Sequence, residues 1–146
     1  MNFYYLLKNQ ERISGIQQIL SEIIECAIVT SPYDFGIPEF GGKRSGLEQE
    51  IMYSFGRTTF DLQKKGITGV EGQPNKRKVT WTLNSYHKTG KAFDIYAYVN
   101  GKASWDMKYL EPIARHLQKV ALEEFCVQLE WGFDLWKKDG AHFQIK

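Results

Sequence analysis

Between Phe93 and Val99 the chain alternates strictly: Phe93, Ile95, Ala97 and Val99 face one way and Asp94, Tyr96 and Tyr98 the other. A period of two is the signature of a strand with one buried face. This strand carries a carboxylate in its middle, among residues that favour burial. A buried charge is costly unless something compensates it, so Asp94 constrains both the fold and the chemistry.

The rest of the chain supplies the partners for that strand. Val79, Trp81 and Leu83 alternate with Thr80 and Thr82 just upstream, predicting another strand. Two further alternating sets, Val127, Leu129, Trp131 and then Ala141, Phe143, Ile145, flank a loop holding Gly132, Lys137, Lys138, Asp139 and Gly140. Helical spacing appears elsewhere. Ile13, Ile16, Leu20, Ile23, Ile24 and Ala27 predict a helix from about Gln10 to Val29, ended by Thr30-Ser31-Pro32. Ser45 with Glu48 has the form of a capping box opening a second helix from about Gly46 to Lys64. Leu110, Ile113, Ala114, Leu117, Val120 and Ala121 mark a third from about Met107 to Phe125. The order predicts an α+β fold: a small, mainly antiparallel sheet packed by about three helices.

With 146 residues, 42% of them hydrophobic, the chain has enough material for one core, so residues 1–146 read as a single domain. The net charge of +2 selects no partner. The one dense basic run, Asn75 to Lys78, reads as a solvated loop rather than a nucleic-acid contact. Cys26 and Cys126 lie in helix-like apolar patterns without metal-finger spacing, so free buried thiols are expected. No apolar stretch is long enough to span a membrane, and Met1 to Leu7 lacks the basic start and cleavage site of a signal peptide. Nothing calls for more than a monomer.

The chain has three histidines. His116 falls on the third helix and reads as an ordinary surface or partly packed side chain. His87 precedes the strand bearing Asp94, and alternation turns His142 and Gln144 away from Ala141, Phe143 and Ile145. Two imidazoles and a carboxylate form a common catalytic zinc set with an open position for water. The spacing from His87 to Asp94 is not a general metal signature. Ser85 suits a substrate-binding or supporting hydrogen bond better than a nucleophile, because no GxSxG elbow surrounds it. Trp136 is the foremost of the aromatics that could line a cleft, whereas Glu130 and Asp134 read as a sheet-face and a loop carboxylate.

The segment SYHKTGKAFDI, Ser85 to Ile95, closely resembles the Ser-x-His-x-x-Gly-x-Ala-x-Asp motif of zinc D-alanyl-D-alanine carboxypeptidases, dipeptidases and phage L-alanyl-D-glutamate endopeptidases. EWGFDLWKKDGAHFQ, Glu130 to Gln144, is similar to the C-terminal Trp-Gly-x-Asp-Trp and His-Phe-Gln stretch of that family. DFGIPEFGGKRS and FGRTTFDLQ resemble an upstream segment of the phage branch. The resemblance implies Zn2+ held by His87, Asp94 and His142, with Asp139 as catalytic base. It also implies that Arg57 binds substrate and stabilises the oxyanion. Its phage branch implies cleavage of the L-alanyl-D-glutamate bond in peptidoglycan stem peptides. Synthesis in the host cytoplasm, with later release to the wall, is implied by the same branch. The alternatives are a D-alanyl-D-alanine carboxypeptidase, disfavoured by the missing export signal, and a non-catalytic wall-binding module, disfavoured by the complete ligand set.

Overall fold

In the computed structural model, which describes residues 9–146, the alternating segment with Asp94 divides between two sheets. Met1 to Leu7 lies outside the described residues. Residues Ala92–Asp94 form β2 and Tyr96–Val99 form β3. Ile95 is the joint: its N–H bonds the Ala141 carbonyl at 3.0 Å, in register with the β2–β6 ladder, before the chain passes to the other sheet. The fold is α+β as predicted, but the single sheet becomes two three-stranded antiparallel ones.

The first sheet orders β1 (Asp34–Gly36), β3 and β4 (Lys102–Ser104). Its β3–β4 hairpin turns at Asn100 and Gly101, both at positive φ, a pairing that matches the twist of the flanking strands. The second sheet places β6 (His142–Gln144) between β2 and β5 (Glu130–Trp131). Against them pack α1 (Gln18–Thr30) and α4 (Met107–Phe125), whose apolar stripes meet and share one core with Phe35, Phe93, Ile95, Trp131 and Phe143. That single cluster runs from Ile13 to Phe143.

Three expected elements change in physically telling ways. The first helix is broken: residues 9–13 are helical, and α1 restarts at Gln18 because the Gln17 N–H is given to the Gly90 carbonyl at 2.9 Å. The second helix divides into α2 (Gly46–Ser54) and α3 (Thr59–Lys64), separated at Gly56, whose φ of +78° no helix accommodates. Ser45 does cap α2 through a full capping box, and Thr58 with Asp61 builds another for α3. The expected strand over Val79–Leu83 is irregular. Its inward groups bond side chains instead of a neighbouring strand: Gln49 donates to Thr80 Oγ1 and the Thr82 carbonyl, and Arg57 donates to the Thr80 carbonyl. Trp81 is left 62% exposed.

The loop after Trp131 also contains a short helix, α5 (Gly132–Trp136). Both cysteines are exposed rather than buried, Cys126 because it caps α4 in a left-handed conformation. The basic run Asn75 to Lys78 is exposed as expected. Among the described residues, no helix is long and apolar enough to cross a membrane.

Phe93 and Phe143 are direct cross-strand partners whose rings stack 5.1 Å apart in the core. Phe93→Ala is expected to lower the unfolding free energy by about 3–5 kcal/mol in urea denaturation. Val79→Ala, on the exposed side of the irregular segment, should stay within about 0.5 kcal/mol.

Candidate metal centre

The β2–β6 register sets Asp94 directly opposite His142, one residue along from the Phe93–Phe143 pair. Because side chains alternate, the phenylalanines enter the core and Asp94 and His142 emerge together on the other face. His87 arrives from a 3-10 turn, Tyr86–Thr89, that follows the irregular segment. Ser85 caps this turn by accepting the His87 N–H, and Gly90 ends it at a φ of +72°. A Cβ on Gly90 would lie 3.0 Å from the Gly15 carbonyl, so the turn also docks against the break before α1.

Three donor atoms then converge. His87 Nε2 lies 3.2 Å from His142 Nδ1 and 3.2 Å from Asp94 Oδ1, and the third side, His142 Nδ1 to Asp94 Oδ1, is 3.3 Å. The outer atoms fix which nitrogens face inward. His87 Nδ1 is 2.9 Å from the Gly42 carbonyl and His142 Nε2 is 2.8 Å from Gln144 Oε1, so each outer N–H has an acceptor and each inner nitrogen presents a lone pair. Asp94 Oδ2 is taken by Arg44 at 2.8 Å. Three lone pairs facing one another need a cation. The nearly equilateral triangle fits one: a tetrahedral ion with bonds of about 2.0 Å separates its ligands by about 3.3 Å.

The titration behaviour of these groups reflects the same crowding. Burial pushes the Asp94 carboxyl up, but the facing His87 and His142 outweigh it and hold the acid well below the usual range. Burial lowers His142, and its contacts with Asp94 more than restore it, leaving it raised. Arg44 is lowered by burial, with Asp94 and Asp139 partly opposing the change.

Asp139 stands beside the triangle on a residue at φ +63°, and its carbonyl accepts the His142 N–H. Surrounding protein, and then the charge of Asp94, raise its carboxyl above the ordinary range, although the residue as a whole keeps solvent contact. Gly132 makes this approach possible, since a Cβ there would fall 2.5 Å from the Asp139 carbonyl oxygen and 3.1 Å from His142 Cβ. Trp136, half-exposed, sets its ring 5.4 Å from that of His142. The structure therefore gathers His87, Asp94, His142, Asp139 and Trp136, with Ser85 supporting from behind.

Arg57 has other partners. Its guanidinium donates to the Tyr53 and Thr80 carbonyls at 2.6 and 3.1 Å and lies over the Tyr53 ring, bracing the irregular segment instead of bonding the triangle. The arginine that bonds a member of the triangle is Arg44, which also donates to Gln49 and the Phe40 carbonyl. The roles of Arg44 and Gln49 escape pattern reading because only tertiary contact gives them partners, whereas alternation had already placed Gln144 on the face of His142. Two signals for Arg44 were available, its adjacency to a capping box and its place in the segment DFGIPEFGGKRS. The remaining candidates sort cleanly. Asp134 is held below the ordinary range chiefly by two hydrogen bonds from Arg115, Glu130 accepts from Gln144, and His116 bonds Thr30 and the Ala27 carbonyl.

Fold and site together define a small α+β domain with a His-Asp-His metal-binding arrangement. Residues 56–145 match the phage L-alanyl-D-glutamate peptidase family, and the chain belongs to it. It is 25% identical to the L-alanyl-D-glutamate peptidase of Escherichia phage T5 over 148 residues, covering all of this chain and 91% of that one. It also resembles the crystal structure of the Serratia marcescens L-Ala D-Glu endopeptidase ChiX, with a TM-score of 0.67 and 29% identity, over 94% of this chain and 86% of that one.

Arg44→Gln frees one Asp94 oxygen and is expected to weaken divalent-metal binding by about 10–100-fold, read by competition with a chelating dye. Gly132→Ala should weaken it by at least about tenfold by displacing the Asp139 turn from His142. Gly69→Ala, with nothing within 4 Å of the added Cβ, should leave it unchanged.

Proposed function

We propose that the chain is a zinc peptidase, one domain over residues 1–146, that hydrolyses the L-alanyl-D-glutamate bond of peptidoglycan stem peptides. Membership of the phage L-alanyl-D-glutamate peptidase family supports this bond. The observation that carries the chemistry is the triangle of 3.2 to 3.3 Å formed by His87, Asp94 and His142. Two imidazoles with one carboxylate are a donor set suited to zinc.

When bound, zinc supplies Lewis acidity, making water acidic enough to attack and polarising the peptide carbonyl. The protein does the rest. Arg44 keeps Asp94 Oδ1 aimed at the ion by occupying Oδ2, and the Gly42 carbonyl and Gln144 do the same for the two imidazoles. The Asp139 carboxylate takes a proton from the attacking water and returns it to the leaving amine. Its raised pKa suits the first of these transfers, because a carboxylate closer to neutrality takes up a proton more readily than an ordinary one. Trp136 forms an apolar wall beside His142 for the substrate backbone. Arg57, assigned to substrate by the family resemblance, acts here through the Thr80 carbonyl by holding the irregular segment against Gln49 and Tyr53.

Purified protein incubated with peptidoglycan should release new amino groups on D-glutamate, identified by mass spectrometry, and a chelator should abolish them. Asp139→Ala should cut the rate by about 10²–10⁴-fold, as loss of a general base does. Asp134→Asn, which disturbs only exposed contacts with Arg115 and Gln118, should leave it intact. Free D-alanine would reassign the enzyme as a carboxypeptidase, and chelator-insensitive release of reducing sugars would sink the peptidase reading.

A further inference from the structure

Two loops flank the triangle: the irregular segment that leads to His87 and the turn after α5 that leads to His142. They touch through one cation and one ring, with Lys138 Nζ 4.6 Å from the centre of Trp81. Both side chains are open to solvent. A cation over an indole face is held in direction while remaining available to an anion. The two arginines nearby are committed. Arg44 serves Asp94, Gln49 and Phe40, and Arg57 serves Tyr53 and Thr80. Lys138, by contrast, has no carboxylate within ion-pair distance among the described residues.

The position of this free charge follows the chemistry of the leaving group. Lys138 is the residue before Asp139, which must lie within hydrogen-bond reach of the leaving nitrogen to deliver its proton. In a glutamyl residue that nitrogen and the α-carboxyl share one carbon. One of the two glutamate carboxyls carries the onward peptide bond, and the other remains an anion next to the scissile bond. A substrate of this class therefore brings a negative charge to the side of the cleft where Asp139 and Lys138 stand.

We propose that Lys138 pairs with the free carboxylate of the glutamyl residue on the leaving side of the bond, and that Trp81 is the positioning residue that keeps its ammonium there. The inference rests on the peptidase reading above and names the group that sets its preference. The arrangement is built into the framework, because the residues either side of Trp81 are fixed by Gln49, which in turn bonds Arg44. Lys137, whose backbone N–H ends α5, serves as the neighbouring charge that the proposal does not use.

The test compares two soluble L-alanyl-D-glutamyl peptides that differ only in whether the glutamate carboxyl outside the peptide bonds is free or amidated. The zinc-loaded wild-type protein should prefer the free acid by about tenfold or more in kcat/KM, mainly through KM, as expected for a charge-assisted contact. Lys138→Met should lose that preference and Lys138→Arg should keep most of it. Lys137→Met should behave as wild type. Trp81→Leu should lower the preference with little change in kcat, and should add nothing once Lys138 is methionine. An unchanged acid-to-amide ratio in Lys138→Met, with both peptides still cleaved, overturns this inference and leaves the peptidase reading standing. Failure of the wild-type protein to cleave either peptide overturns the bond assignment and this inference together.

Discussion

The pairing of β2 with β6 is the contact on which this molecule depends. One register serves two purposes, stacking Phe93 on Phe143 inside and presenting Asp94 beside His142 outside. A slip of one residue would exchange the faces, sending a carboxylate and an imidazole into the core and two phenyl rings to the solvent. Core stability and metal-site geometry are therefore enforced by the same backbone hydrogen bonds. Two of the three ligands sit on a ladder rather than on a loop, and this holds their donor atoms to the tolerance that metal binding demands.

Around the triangle, every atom that could point the wrong way is restrained. The Gly42 carbonyl, Gln144 and Arg44 each fix one ligand from behind, and Glu130 holds Gln144 in turn. These contacts come from three separate stretches of chain, so no local motif could contain them. Burial raises the cost of any vacant partner, because an unpaired polar group in this environment has no water to turn to. Arg44 illustrates the balance: burial lowers its pKa, and Asp94 and Asp139 oppose that lowering.

Much of this was legible in the sequence, and the parts that were not have a common cause. Alternation identified the face of Asp94 and of His142, and helical spacing located α4 to its bounds, since each depends on local periodicity. Family resemblance brought Asp139 beside them. The break at Gln17 was invisible because it results from a backbone N–H finding a carbonyl far along the chain, and the change of sheet at Ile95 because β2 and β3 find different partner strands. The division at Gly56 had a local signal, the capping pattern Thr58 to Asp61, masked by continuing helical spacing. Val79 to Leu83 misled for the opposite reason. It alternates as a strand does, yet side chains from α2 and the following turn replace the neighbour that a strand would need.

That replacement has an evolutionary side. A wall made of ladder hydrogen bonds changes shape only when a whole strand moves, whereas this one is tacked down by Gln49 and Arg57, with Trp81 and Leu83 between and beyond the tacks. Side chains at such positions can be exchanged one at a time without disturbing the register that carries the metal ligands. The architecture thereby separates what the site does from what it admits, and a lineage could drift between related wall chemotypes by altering this wall while its hydrolytic machinery stays inherited unchanged.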